Sequence, residues 1–105
     1  MNFKNMMKQA QQMQAKMAEA QQRLTTITVE GTSGGGMVKV VVNGKTEAQS
    51  IKIDPSIVDK NDVEMLEDLI VAAFNDAKNK AEEKAHEEMS KATSGLPLGD
   101  MKLPF

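Results

Sequence analysis

The chain has 105 residues, 13 Lys and Arg against 15 Asp and Glu for a formal net charge of -2, and no cysteine, tryptophan or tyrosine. This length holds one small domain, the missing cysteines exclude disulfide scaffolds, thiolate metal sites and Cys nucleophiles, and three Phe exclude an aromatic platform for single-stranded bases. The longest apolar run, Leu69 to Phe74, is six residues against the roughly 20 that span a bilayer, and Met1-Asn2-Phe3-Lys4-Asn5 opens no secretion signal, so a cytoplasmic soluble protein without membrane contact is expected.

The first predicted element is a helix from about Phe3 to Leu24. Its apolar positions Phe3, Met6, Ala10, Met13, Met17, Ala20 and Leu24 alternate spacings of three and four. That 3.5-residue period makes a narrow seam for another helix rather than a broad core face, along a rod about 33 Å long. A small antiparallel meander follows, with strands expected at about 26–30, 37–42 and 46–53. Ile27 and Val29, then Val38, Val40 and Val42, then Ile51 and Ile53 share its buried face. Gly31 to Gly36 reads as the first turn, and Asn43-Gly44 as a two-residue type I′ hairpin.

Asp54-Pro55 ends the sheet in a short turn. Asn61, with Glu64 three residues later, resembles a capping box that opens a helix from about Asp62 to Ala92. Its first half is strongly apolar, with Leu66, Leu69, Ile70, Ala73, Phe74 and Ala77; only Ala81, Ala85 and Met89 continue the stripe. Residues 95–105, punctuated by Pro and Gly, are expected to be extended. A helix of that length, roughly 46 Å, exceeds the diameter of a compact 100-residue globule, whose radius of gyration is about 13 Å. Its last turns must project or lie along a partner. The fold class is therefore α+β: helix, three-stranded antiparallel meander, long C-terminal helix, in a single domain over 1–105. A dimer with projecting, antiparallel helical arms is the simplest assembly; an elongated monomer is the plainer alternative.

No enzyme emerges from the motifs. Gly44-Lys45-Thr46 copies the end of a phosphate-binding loop, but Lys39 stands where the earlier Gly belongs and the segment joins two strands. Gly34-Gly35-Gly36 precedes a strand, so no helix dipole faces a pyrophosphate there. His86-Glu87-Glu88 begins like a zinc-protease helix, yet Ser90 replaces the second His and His86 is the chain's one histidine. Glu82, Glu83, Glu87 and Glu88 read as a solvated face. Neither a cofactor nor a small-molecule substrate is expected.

The functional signal lies in the cations, which are unevenly spread. Residues 1–23 hold Lys4, Lys8, Lys16 and Arg23 against Glu19, whereas residues 61–105 hold five Lys against ten acids. A nucleic-acid surface is thereby confined to a basic end. Lys4 and Lys8 are i, i+4 neighbours, and Lys80, Lys84 and Lys91 fall within about 40° on the long helix. A solvated helix face explains the same residues equally well. With glutamates nearby, any DNA binding is expected to be directed at the backbone and sensitive to salt.

Several stretches together resemble the YbaB/EbfC family of bacterial nucleoid-associated proteins. They are Met7-Lys8-Gln9-Ala10-Gln11-Gln12-Met13, Gly34-Gly35-Gly36-Met37-Val38-Lys39-Val40, Ile53-Asp54-Pro55-Ser56, the run from Glu64 to Ala77, and the ending Lys102-Leu103-Pro104-Phe105. The resemblance implies a helix, three strands and a helix, in a tight homodimer with helices packed between two sheets. It also implies helical arms that grip duplex DNA, and a role in nucleoid organisation and gene regulation. Lys8 and Lys16 match family cations of the first helix, and Lys78 lies where relatives often carry a basic residue. Lys4, Arg23, Lys80 and Lys84 join the candidate DNA contacts by position alone. Leu98-Gly99-Asp100 departs from the frequent family ending, so no contact is assigned to the tail.

The expected function is thus a homodimeric, nucleoid-associated binder of double-stranded DNA in the cytoplasm. The rivals are a coiled-coil interaction module or prefoldin-type holdase, for which a Met-rich seam is also suited, and an adaptor binding protein through its acidic distal helix.

Overall fold

The structure, a computed structural model, describes residues 2–93. In chain order it comprises α1 (Phe3–Leu24), β1 (Thr28–Ser33), a 3-10 turn at Gly34–Gly36, β2 (Val38–Asn43), β3 (Ala48–Ile53), a 3-10 turn at Pro55–Ile57, and α2 (Val63–Thr93). The strands form one antiparallel sheet in the order β1-β2-β3. The expected extended tail, 95–105, lies outside the described residues.

α1 has the expected bounds. The Asn2 side chain accepts the Lys4 N–H at 3.0 Å, satisfying one of the orphan donors of the first turn. At the other end no glycine closes the helix. Instead the Thr25 and Thr26 hydroxyls donate to the carbonyls of Gln22 and Arg23, and the Ile27 N–H turns back to Arg23. Those bonds hold Thr26 and Ile27 in the helix exit, so β1 starts at Thr28 rather than Thr26.

β1 also runs on through Gly31, which the sequence placed in a turn. Gly31 belongs in the strand because α2 crosses it at backbone distance. A Cβ there would lie 2.2 Å from both the Ala73 carbonyl oxygen and the Ala77 nitrogen. The turn shrinks to Gly34–Gly36, where all three glycines take positive φ, the region that costs other residues most.

The β2–β3 connection is likewise not the two-residue type I′ turn. It is a three-residue loop, Gly44-Lys45-Thr46, closed by Asn43 N–H to Glu47 O (3.0 Å) and Thr46 N–H to Asn43 O (3.0 Å), with Thr46 at φ 62°. A turn followed by a left-handed residue is the usual three-residue hairpin. Buried Asn43 organises it by accepting from the Lys45 and Glu47 amides. β3 accordingly begins at Ala48, and a register shift between Val41 and Val42 accommodates an extra residue opposite. Gly44 is needed for a close approach: its N–H donates to Leu24 O at 2.7 Å and Ile27 O at 3.0 Å, and a Cβ would stand 2.8 Å from Leu24 O.

The helix cap is displaced by one residue from the expected Asn61. Asp62 accepts the Met65 N–H at 3.2 Å, so Glu64 sits one position short of the reciprocal place and no capping box forms. The core sets Val38, Val40 and Val42 of β2 against Ala73, Ala77 and Ala81 of α2, all fully buried. Small alanines bring the helix axis down onto the sheet. Because α2 packs on β1 and β2, the edge strand β3 is left open. Ile51, expected in the core, is 50% exposed, and Ile53 is half-buried.

Beyond Ala81, α2 leaves the sheet and meets α1. Ala20, Met89 and Ala92 form a second buried cluster with Met17 beside it. Met17 and Ala20 pack in the cluster of Met89 and Ala92, while Arg23, further along α1, meets Glu88, earlier in α2, so the helices run antiparallel. Only the C-terminal half of the α1 seam is closed by described residues; Phe3 is 72% exposed and Met6 49%. The molecule measures 70 × 22 × 16 Å, with a radius of gyration of 19.4 Å. A projecting helix pair accounts for that excess over a compact chain of this length.

Candidate nucleic-acid interface

The candidate cations fall into two groups with different surroundings. Lys4, Lys8 and Lys16 are exposed along α1 and make no ion pair with a described residue. At 100° per residue, Lys4 and Lys8 stand nearly opposite the Ala20–Leu24 seam and Lys16 on its flank. Burying one side of α1 against α2 therefore turns these ammonium groups outward on the projecting rod. Arg23 lies at the base of that rod and is engaged: its Nε is 3.3 Å from the Glu88 carboxylate. Glu88, 8% exposed as a residue, also meets Lys91 at 3.6 Å.

On α2 every candidate cation has a carboxylate partner. Lys78 pairs with Glu82 at 3.9 Å, Lys84 with Glu87 at 3.9 Å, and Lys80 with Asp76 at 3.1 Å. Lys78 is on the far side of the helix from Lys80, so the fold does not bring them together. Lys80 is a tether: its Nζ also donates to the Glu30 carbonyl at 3.1 Å, while Asp76 accepts the Thr32 N–H at 3.0 Å. Asp76 and Lys80 thus clip α2 to edge strand β1, whose outer hydrogen-bonding groups would otherwise be unpaired. The sequence carried part of this signal in their i, i+4 spacing, but not the strand bonds.

The Thr32 amide, and after it the Lys80 ammonium, hold the Asp76 carboxyl below its ordinary value of 3.8. Charged Asp76 therefore stabilises the fold above that ordinary value, and the contribution is lost as pH falls through the depressed one. Asp76→Ala should lower the melting temperature at pH 7, with the gap to wild type closing as the pH falls below the ordinary carboxylate range. Melting curves from pH 7 to below that range check it; a gap independent of pH would show that the carboxylate charge is not what holds the clip.

Among the described residues, no three His, Asp or Glu side chains come together to hold a metal ion, and no helix is long and apolar enough to cross a membrane. The basic rod is the distinctive feature of the surface. Comparison with known families gives it a context, because the model of the YbaB/EbfC DNA-binding family matches residues 1–96. The chain belongs to that family.

Similar YbaB/EbfC-type chains include a nucleoid-associated protein of Paramagnetospirillum magneticum, 60% identical over 105 residues, covering 99% of this chain and 98% of that one. A nucleoid-associated protein of Rhodospirillum centenum is 59% identical over 105 residues, with the same coverage. One of Caldanaerobacter subterraneus subsp. tengcongensis is 57% identical over 97 residues, covering 92% of this chain and 87% of that one. These are names of DNA-associated proteins, not of enzymes. Among solved structures, an uncharacterized protein of Helicobacter pylori has a TM-score of 0.74 at 25% identity, covering 87% of this chain and 96% of that one. The YbaB/EbfC architecture of helix, three-stranded antiparallel sheet and long C-terminal helix is shared.

Proposed function

We propose that this protein binds duplex DNA as a homodimer, mainly through phosphate contacts from its helical arms, and thereby organises the nucleoid and influences gene expression in the cytoplasm. The carrying observation is the contrast between the exposed lysines of α1, which pair with no described carboxylate, and the paired lysines of α2, in a chain of the YbaB/EbfC DNA-binding family. Ammonium groups that neutralise phosphates release DNA counterions on binding, whereas a lysine already beside a carboxylate must first leave that partner. Lys4, Lys8 and Lys16 are accordingly the principal contacts; Arg23, Lys78, Lys80 and Lys84 contribute less because their charge is already shared. Sequence preference then comes from arm spacing and DNA shape rather than from base edges.

A homodimer is supported by the open flank of the sheet. Ile51 is 50% exposed beside half-buried Ile53, and α2 presents Val63 at 52% exposure with half-buried Ile70 and Phe74 on the neighbouring side. A second copy laid over this strip would bury an apolar surface that one chain leaves wet.

Fluorescence anisotropy with a ~30 bp duplex, titrated across salt, tests the reading, with the mass of the protein measured by light scattering. Dimer mass and a log–log salt slope of about −3 to −5, at ~0.9 per neutralised phosphate, are expected. No binding at low salt overturns the DNA reading. It would favour the holdase reading, to which exposed Phe3, Met6 and Met7 lend themselves, and suppression of aggregation of an unfolded client would then be measurable.

A further inference from the structure

The outer face of the sheet, turned away from α2, carries a feature that neither the arms nor the core explains. Strand register sets Lys39 of β2 directly opposite Lys52 of β3, with Thr32 of β1 opposite Lys39 on the other side. Both lysines are exposed, and neither has an ion pair with a described residue. Like charges directly opposite each other, with Cβ atoms about 5 Å apart, disfavour the sheet.

The local carboxylates do not relieve this pair. Glu30 lies on the same face one row away, opposite Val41. Asp54, just past β3, accepts the Ser56 amide at 2.9 Å and makes no ion pair with either lysine. The row Thr32, Lys39, Lys52 and the neighbouring Ser50 therefore present two unneutralised ammonium groups with hydroxyls beside them. That is the chemistry by which proteins hold phosphate oxygens.

We propose that this face is a second phosphate-contact surface for duplex DNA, with Lys39 and Lys52 meeting neighbouring phosphates of one strand, which rises about 3.4 Å per nucleotide. The proposal rests on the DNA-binding reading given above. It differs in placing cations at the end of the molecule away from the tip of α1, so DNA contact extends over the body as well as the arm. The charge complementarity is local: without the lysine pair the same face would be a Thr, Ser and Val surface whose charged group is Glu30.

The experiment compares three forms of the full chain by duplex anisotropy across salt: wild type, Lys39→Gln with Lys52→Gln, and a control, Lys45→Gln with Lys60→Gln, that removes the same charge from exposed positions off this row. The sheet variant should bind at least fivefold more weakly at low salt, with a slope shallower by about 1.8, two phosphates at ~0.9 each. The control should stay within twofold of wild type. Neutralising facing lysines relieves repulsion, so the sheet variant should melt no lower than wild type. A footprint on the unmodified protein gives an independent readout, with added duplex expected to protect Lys39 and Lys52 from acetylation more than Lys45 and Lys60. Equal losses in the two variants, or wild-type affinity in the sheet variant, overturn the proposal while leaving arm binding intact. Failure of wild type to bind any duplex overturns both.

Discussion

Gly31→Ala is expected to lower the melting temperature by more than about 12 °C. The added methyl would sit 2.2 Å from the Ala73 carbonyl oxygen and the Ala77 nitrogen. Both are backbone atoms of a regular helix, so no rotamer change can make room. α2 must lift from β1, loosening the contact of Val38, Val40 and Val42 with Ala73, Ala77 and Ala81. Overpacking costs about 1–3 kcal/mol and occasionally more; a site walled by helix backbone lies at the top of that range, and each kcal/mol moves the transition of a domain this size by roughly 4–8 °C. Gly35→Ala is a useful comparison, since nothing lies within 4 Å of its Cβ and only its φ of +64° opposes the change, at about 1 kcal/mol. Thermal circular dichroism of both variants decides the matter. Equal, small shifts would mean that the helix rides more loosely on the sheet than the packing implies.

Replacing Lys4, Lys8 and Lys16 together by Ala should weaken duplex binding at least tenfold at low salt. It should also make the salt slope shallower by about 2.7, three phosphates at ~0.9 each. The loss should be nearly the same on A·T-rich and G·C-rich duplexes, because phosphate contacts position a protein without reading bases. Folding should be little changed, as all three side chains are exposed, with Lys4 and Lys8 opposite the α1–α2 seam and Lys16 on its flank. Undiminished affinity in this variant would remove α1 from the interface and return attention to the body of the molecule.

The elements themselves were legible because their signals are local. The 3.5-residue repeat gave α1 its bounds, and the valine alternation at 38, 40 and 42 gave β2 its buried face. What escaped was set by contacts distant in sequence. Gly31 looked like the start of a glycine-rich turn, since nothing in its neighbourhood announces a helix crossing more than forty residues later. Gly44 looked like a positive-φ glycine, whereas its role is to admit the Leu24 backbone. Ile51 alternates like a core residue, but exposure depends on where α2 comes down. Among the candidate DNA contacts, the residues of α1 could be read from charge alone. The engagement of Lys80 with Asp76 and Glu30, and of Arg23 with Glu88, needed the fold, and so did the facing of Lys39 and Lys52 across two strands.

The bond from the Gly44 amide to the Leu24 carbonyl fixes more than a turn. It anchors the base of α1 to the hairpin, beside the Arg23–Glu88 ion pair, and everything N-terminal to it is a lever about 33 Å long. A tilt of about 10° at this pivot carries the Phe3 end through about 6 Å, nearly two nucleotide rises of ~3.4 Å. In the proposed DNA complex, the stiffness of one hairpin would therefore govern which spacings of the DNA backbone the far end of the rod can span.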